Sequence, residues 1–422
     1  MKRLLLLLVV ALLASPAFAA APAEEETVTG ISILSTMTQS NPQMAYAYSK
    51  WKQDYPDAEL TLISLDIAEG STMTLDALNA SGDPPNIFMD WCGRVGKYLI
   101  PGYALPLRDQ IRDIDQYYDS FLAPYTIDGE LLGLPLNGGA QAMLINLDIM
   151  DEIGFTVEDD WTVDDFLEMC ELVKQHYGGE KFGTGIYAAN QSGDYVWSNW
   201  FDAFGAKFFL DGDYSKSTIV ETGGEKVHEF FQTLARNEYI PPNAFALRDY
   251  DVFVMLGRGE IAAMTFYDVW IDTYQGVAAE QGIEGGFRFK FVPVPNAVGK
   301  TTASYISTAA AMVIKTGTAA DAMAARFVEY LLDPTSQTIS AGAGTIPNRR
   351  GVSVLNPRPG TVDIMAILAA NGVYDVGLTQ EWFAAVRPLH FPILQKVLRL
   401  EIDPADSIQE YADNVNTVLD EW

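Results

Sequence analysis

The chain begins with an unbroken apolar run from Leu4 to Leu13, preceded by Lys2 and Arg3 and ended by Pro16. Ala17-Phe18-Ala19 then places small residues where a signal peptidase reads them. A membrane span needs about 20 apolar residues, so this run is too short to cross a bilayer. Residues 1–19 read as a secretory signal cleaved after Ala19. No cysteine stands near the cleavage site to accept a lipid. The expected product is a soluble, unanchored chain, and a periplasm is the compartment that would retain it.

After a polar leader from Ala20 to Glu26, strand-like and helix-like patterns alternate. Thr27 to Leu34 reads as a strand. Asn41-Pro42 opens a helix, with Asn as cap and Pro in the first turn. Met44, Tyr48, Trp51 and Tyr55 form one apolar stripe expected to lie on a sheet. Glu59 to Leu65 is apolar on both faces, as a buried parallel strand should be. Thr72 to Ala80 reads as a short helix, and Asn86 to Met89 as a third strand after Gly82-Asp83-Pro84-Pro85. This alternation predicts a doubly wound α/β unit.

A second α/β unit follows Pro135. Thr162 caps a helix, with Asp165 completing a capping box. Val227, Phe230, Phe231 and Leu234 mark another amphipathic helix. Ile261 to Phe266 and Phe287 to Val294 read as strands, Ala319 to Leu332 as a helix stopped by Asp333-Pro334, and the last stretch of the chain as helical. There is no internal repeat and no long linker. Gly133-Leu134-Pro135 and Pro293-Val294-Pro295 are the candidate stiff passages between two lobes.

Composition narrows the class. Apolar residues make up 49% of the chain, enough for large cores and too many for wholesale disorder. The formal charge of -29 disfavours phosphate backbones and anionic lipid as partners. Cys92 and Cys170 are the only cysteines. Cys170 shares an apolar helix face with Phe166, Met169, Val173 and Tyr177, so two separate buried thiols are expected rather than a bridge.

Motifs for chemistry are mostly absent. His176, His228 and His390 have no second His or Cys at metal spacing, so neither zinc nor a Ser-His-Asp triad is supported. The glycine patterns at Gly183 and Gly257 do not join a strand to a helix as a dinucleotide fingerprint must, and Val294 stands where a phosphate loop before Gly299-Lys300-Thr301 needs glycine. Asp211-Gly212-Asp213 fails as a calcium loop and reads as a turn. Asp159-Asp160 and Asp164-Asp165 fit a solvated helix start better than a catalytic carboxylate pair. No metal, cofactor or catalytic residue is expected.

Polar and aromatic residues do cluster after the predicted strands, where open α/β sheets bind ligands. Thr36 and Gln39 follow the first strand, and Asp90-Trp91 the third. Trp197, Asn199 and Trp200 lie together, and Tyr267, Asp268 and Trp270 follow the strand ending at Phe266. An indole face covers the apolar face of a sugar ring, while amides, carboxylates and guanidinium groups serve its hydroxyls. Core packing is the alternative for each ring. The repeated pairing of Trp with Asp or Asn favours a ligand.

Several motifs in order resemble the extracellular solute-binding proteins of ABC importers, in the maltose-binding-protein-like group. Gly82-Asp83-Pro84-Pro85-Asn86-Ile87-Phe88 resembles that family's Gly-Asp-x-Pro-Asp-Ile-Phe, with Asn86 in place of Asp. Tyr103-Ala104-Leu105-Pro106-Leu107 resembles its Gly-x-Leu-x-Pro-Leu. Asp128-Gly129-Glu130-Leu131-Leu132-Gly133-Leu134-Pro135 is similar to Asp-Gly-Lys-x-Tyr-Gly-x-Pro, and Asn146-Leu147-Asp148-Ile149 to Asn-Lys-Asp-Leu. Trp161 to Phe166, Gly259 to Met264 and Gly344 to Arg349 are similar to later motifs. The likeness implies a two-lobed periplasmic-binding-protein fold of type II, with two doubly wound lobes joined by a hinge of three crossovers. Lobe one would hold residues 20–134 and 296–332, and lobe two residues 135–295 and 333–422. Cys92 and Cys170 would then lie in different lobes, where a bond would lock the hinge.

The implied function is capture of a sugar or oligosaccharide in the cleft and delivery to an ABC permease, by a monomer and without chemistry. Trp91, Trp197, Trp200, Tyr267 and Trp270 are the expected stacking groups. Asp90, Gln39, Asn199, Asp268 and Arg349 are the expected hydrogen-bonding groups, with Thr36 beside them. A polyamine or other small polar solute is the nearest rival ligand. A secreted carbohydrate-active enzyme is the rival from another class.

Overall fold

The computed structural model describes residues 29–64, 71–191, 194–210, 212–267, 271–283, 286–299, 306–307, 309–342, 345–354, 360–370 and 377–422. The expected signal, its cleavage site and the polar leader lie outside the described residues.

The first lobe starts with β1 (Gly30–Ser35), α1 (Pro42–Asp54), β2 (Glu59–Ser64), α2 (Ser71–Ser81) and β3 (Ile87–Trp91). It continues through α3 (Cys92–Val95), α4 (Asp119–Leu122), the small hairpin of β4 (Thr126–Ile127) and β5 (Glu130–Leu131), and β6 (Leu134–Pro135). The second lobe contains β7 (Gly139–Asn146), α5 (Leu147–Ile153), α6 (Val163–Tyr177), β8 (Phe182–Thr184) and α7 (Asp194–Ala203). Then come α8 (Glu225–Arg236), α9 (Asp249–Gly257), β9 (Ile261–Tyr267), α10 (Ile271–Glu280) and β10 (Phe289–Val292). The chain returns through β11 (Ile306–Ser307) to β12 (Ala309–Val313), α11 (Ala319–Leu332) and α12 (Pro334–Gly342). It closes with α13 (Thr361–Ala370), α14 (Phe383–Val386), α15 (His390–Leu398) and α16 (Pro404–Leu419).

Each lobe is built on one sheet. The first has strand order β2-β1-β3-β12-β6, and the second β10-β7-β9-β8 with β11 also on β7. β1 pairs in parallel with β2 and β3, so their C-terminal ends share one edge. β2 is the edge strand, and its alternating exposure corrects the expectation of burial on both faces. Helix α1 forms as predicted, with the Asn41 side chain accepting from the amides of Gln43 and Met44. Its buried face is Gln43, Met44, Ala47 and Trp51, while Tyr48 is 45% exposed. A step of four residues turns the helix 40° too far, so Tyr48 leaves the stripe that Met44, Ala47 and Trp51 keep. Trp51 docks α1 on α11, its indole donating to the Met323 carbonyl at 2.9 Å.

In the second lobe, Thr162 and Asp165 form the expected capping box. Cys170, on α6, packs so closely on Gly183 of β8 that a Cβ there would lie 2.4 Å from its sulfur. Cys92 and Cys170 are both buried and no disulfide joins them, and burial pushes the Cys170 thiol well up.

The chain passes between the sheets at Leu136–Gly138 and again after Ser307. Ile306 and Ser307 pair with Ala140 and Gly139, and Ala309 then stands opposite Trp91 in the first sheet. A third passage runs beside these, where Ile346 bridges Gly138 and Arg349 bridges Tyr117. The second passage falls later than the Asn296 expected from the sequence. Asn296 still bridges Thr162, and Ala297 donates to the Ala203 carbonyl, both in the second lobe. The prolines at 293 and 295 end the β10 ladder without turning the chain out of the lobe. The first lobe likewise runs past Leu332: the Gln337 side chain donates to the Leu136 carbonyl at 2.7 Å, and Tyr46 donates to Asp333 at 2.6 Å.

Candidate functional site

Trp91 ends β3 at the shared strand edge, and its indole folds back over Gly93. A Cβ at Gly93 would lie 2.4 Å from two of its ring carbons, so this placement requires glycine. Asp90 precedes it and is 3% exposed. Arg94, one turn on, grips that carboxylate with Nε at 2.7 Å and Nη2 at 2.8 Å, and the Trp91 amide donates to it at 2.6 Å. The Arg94 guanidinium lies 5.5 Å from the Trp91 ring centroid.

The C-terminal segment meets this ring. Arg387 places its guanidinium 4.7 Å from the same centroid, and the Phe383 ring lies 6.1 Å away. Arg387 is itself held by Asp194 at the start of α7, through Nη2 to Oδ1 at 3.2 Å and through Nε to Oδ2. Nearby, the Thr379 hydroxyl donates to the Pro124 carbonyl, and the Thr379 backbone lies against Gly96. A hollow of about 280 Å³ opens here between Trp91, Gly93 and Arg94 on one side and Gln191, Arg387 and Pro388 on the other.

The remaining predicted residues do not converge on this hollow. Asn199 is fully buried and donates to Gln141 at 2.7 Å. Gln141 is opposite Tyr267 in the β7–β9 ladder, and the Tyr267 hydroxyl covers Gly139, where a Cβ would lie 2.5 Å from it. These residues form a polar cluster at the edge of the second sheet beside the first crossing. Trp197 and Trp200 face inward from α7. Trp197 packs 4.0 Å from the His390 ring, and Trp200 lies 5.1 Å from Phe166 and 4.6 Å from Phe230. At 6% and 2% exposure these two indoles are packed in the core in this arrangement. Their spacing of three along α7, beside Phe201, puts them on its buried stripe. Thr36 is half-buried one residue past β1, and Gln39 is exposed and lines a different hollow with Met44, Tyr48 and Leu60. Arg349 is 8% exposed and lies 5.2 Å over the Tyr117 ring in the third crossing. Asp268 and Trp270 lie outside the described residues.

The charged lining of the hollow was missed in the sequence. The Asp90–Arg94 pair is local in sequence, but it joins the end of β3 to the short α3 that follows, and no helical pattern announces it. Asp194 and Arg387 stand 193 positions apart and carry no local signal.

The histidines separated by sequence also meet. His228 on α8 and His390 on α15 join Nε2 to Nε2 at 2.9 Å, and both are fully buried. The Ser407 hydroxyl donates to the Pro404 carbonyl, so it must accept from His228 Nδ1 at 2.7 Å. His228 Nε2 is then the acceptor and His390 Nε2 the donor. Burial pushes the His228 pKa down to about 3, and lowers that of His390 well below the usual value with further help from His228. Among the described residues no group of three or more His, Cys, Asp or Glu could hold a metal ion, and no helix is long and apolar enough to cross a membrane.

Comparison with known proteins places the fold. An arabinooligosaccharide-binding protein from Halalkalibacterium halodurans is 28% identical over 137 residues, 31% of this chain and 31% of that protein. The chain thus spans about a third of the length of that relative. Among solved structures, the sugar-binding protein MalE from Xanthomonas citri superposes with a TM-score of 0.78 at 13% identity, covering 93% of this chain and 98% of that one. A family 1 extracellular solute-binding protein from Bifidobacterium longum subsp. infantis gives 0.75 at 19% identity, covering 92% and 99%. The cyclic alpha-maltosyl-1,6-maltose binding protein from Arthrobacter globiformis gives 0.75 at 17%, covering 93% and 99%. At these identities the likeness shows the two-lobed α/β fold. Residues 43–357, well over half of the chain, match the model of the bacterial extracellular solute-binding proteins, and the chain belongs to that family.

Proposed function

We propose that this protein captures a sugar or oligosaccharide between its lobes and delivers it to an ABC permease. The observation that carries the reading is Trp91. It is a partly exposed indole at a strand end of the first lobe, lining a hollow that residues on the far side complete. About 280 Å³ lies near the small end of ligand pockets, about 300–1,000 Å³. Parting of the lobes would free the ring for a sugar face, and closure would add Gln191 and Arg387, so ligand would favour the closed form. The names of the relatives, which bind arabinooligosaccharides and maltose-type sugars, support the same ligand class. Delivery would follow secretion through a cleaved signal over residues 1–19, with the mature chain soluble in the periplasm and not lipid-anchored.

The reading involves no chemistry on the ligand. The carboxylates behind the two arginines of the hollow, Asp90 and Asp194, are each held by a guanidinium and are poor candidates for an acid–base pair. Two arginines at the hollow also count against a polyamine. The test is a saccharide panel read by melting shift and tryptophan fluorescence, with product analysis. Stoichiometric binding that leaves the sugar intact is expected. Steady release of cleaved product would overturn the carrier reading in favour of an enzyme.

A further inference from the structure

Among the described residues, the hollow at Trp91 carries charge of one sign: the charged side chains lining it are Arg94 and Arg387. Their partners stand behind them: the Asp90 and Asp194 side chains are 1% and 9% exposed, against 21% for Arg94 and 16% for Arg387. Each ion pair is therefore a dipole with its positive end toward the hollow. This happens in a chain whose formal charge is -29, so the local field opposes the average surface. Arg94 spends Nε and Nη2 on Asp90, which leaves Nη1 and its two N–H groups for an incoming acceptor.

We propose that the captured saccharide bears an anionic group, a uronate carboxylate or an ester phosphate, and that Arg94 and Arg387 receive it from opposite sides of the cleft. The inference rests on the sugar-capture reading above and adds the ligand's charge. A guanidinium matches a carboxylate or phosphate with parallel N–H donors, and such charge-assisted bonds are shorter and stronger than those to a hydroxyl. The buried aspartates fix the two forks in place before ligand arrives. Arg94 belongs to the first lobe and Arg387 is tied to the second through Asp194, so an anion bridging them would reward closure directly. A neutral sugar could use the same N–H groups and would gain nothing from the charge.

The test is titration calorimetry on the mature chain with D-galacturonic acid and its dimer, glucose 6-phosphate, and the neutral counterparts galactose, galactobiose and glucose. At least tenfold tighter binding of an acidic member than of its neutral counterpart is expected, with the preference shrinking as salt rises. The uronate and phosphate arms distinguish the two anions, and preference for either supports the proposal. Arg387→Gln should bring the preference toward unity. Arg94→Gln leaves Asp90 buried without the Arg94 guanidinium, so Asp90→Asn with Arg94→Gln is the companion variant, and it should do the same. Neutral sugars binding as tightly as acidic ones, or an acidic preference unchanged in both variants, would overturn the proposal and leave sugar capture standing. Binding of no saccharide of either kind would overturn sugar capture and this inference together.

Discussion

The His228–His390 pair makes stability depend on pH in a window that can be calculated. In the unfolded chain each imidazole titrates near 6.5. In the folded chain both stay neutral to far lower pH, because a cation there would be buried without a counter-charge. The Asp194 carboxylate on the neighbouring α7 is engaged by Arg387, and Tyr411, whose ring lies 4.9 Å from His390, is neutral. The unfolded state therefore binds protons first as pH falls. The stabilisation is fully present above pH 6.5 and declines from there toward the folded value of about 3 for His228. Each histidine contributes a slope of about 1.4 kcal/mol per pH unit once it is fully titrated. Between pH 7.5 and 5 that amounts to about 2 kcal/mol per ring, or about 4 kcal/mol for the pair.

The perturbation is His228→Leu with His390→Phe, which removes both polar partners at once and leaves Ser407 bonded to Pro404. Replacing both members of a buried hydrogen bond with apolar groups is much less costly than orphaning one. Urea unfolding of wild type and double variant at pH 5, 6, 6.5 and 7.5 gives the comparison. Acidification also relieves repulsion within the acidic chain, but that term is common to both proteins and cancels in the difference. The wild type should lose about 4 kcal/mol more than the variant across this range. Parallel losses, agreeing within about 1 kcal/mol, would refute the claim that these rings are buried and neutral.

Three further outcomes are expected. Gly93→Ala must displace the Trp91 ring, at a cost of about 1–3 kcal/mol, and should weaken saccharide binding as much as Trp91→Ala; unchanged affinity would count against Trp91 as part of the site. Neither Cys92 nor Cys170 should react with a thiol reagent in the native, unreduced protein, and both should react once it is denatured; an absence of thiols after denaturation would show a bridge. Trp51→Ala should destabilise by about 3–5 kcal/mol in chemical unfolding, since its fully buried indole joins α1 to α11; a loss below about 1 kcal/mol would mean that this contact does not hold the first lobe together.

The amino-acid pattern alone carried the opening βαβαβ order of the first lobe and scattered elements of the second, but not its central strand β7 or the returning strand β12. Helices such as α1, α6 and α11 were legible because their caps and apolar stripes are local, within one or two turns, as with Asn41, the Thr162–Asp165 box and the Asp333-Pro334 stop. Strands β1, β3 and β9 were legible because hydrophobic runs between turn residues have few other solutions. Motif order also pointed to the family. Tertiary structure decided which of these residues stand at the cleft. Trp197 and Trp200 resembled ligand-stacking residues because a buried indole and an exposed one look the same in sequence, and only packing against Phe166, Phe230 and His390 separates them. The same holds for Tyr48, which one helical step moves off the buried face, and for β2, whose place at the sheet edge no local pattern states. The Arg387–Asp194 and His228–His390 contacts join residues more than 160 positions apart. Side-chain chemistry sets what such groups would do once together, but their meeting depends on how α7, α8, α14 and α15 pack, and that is a property of the whole fold.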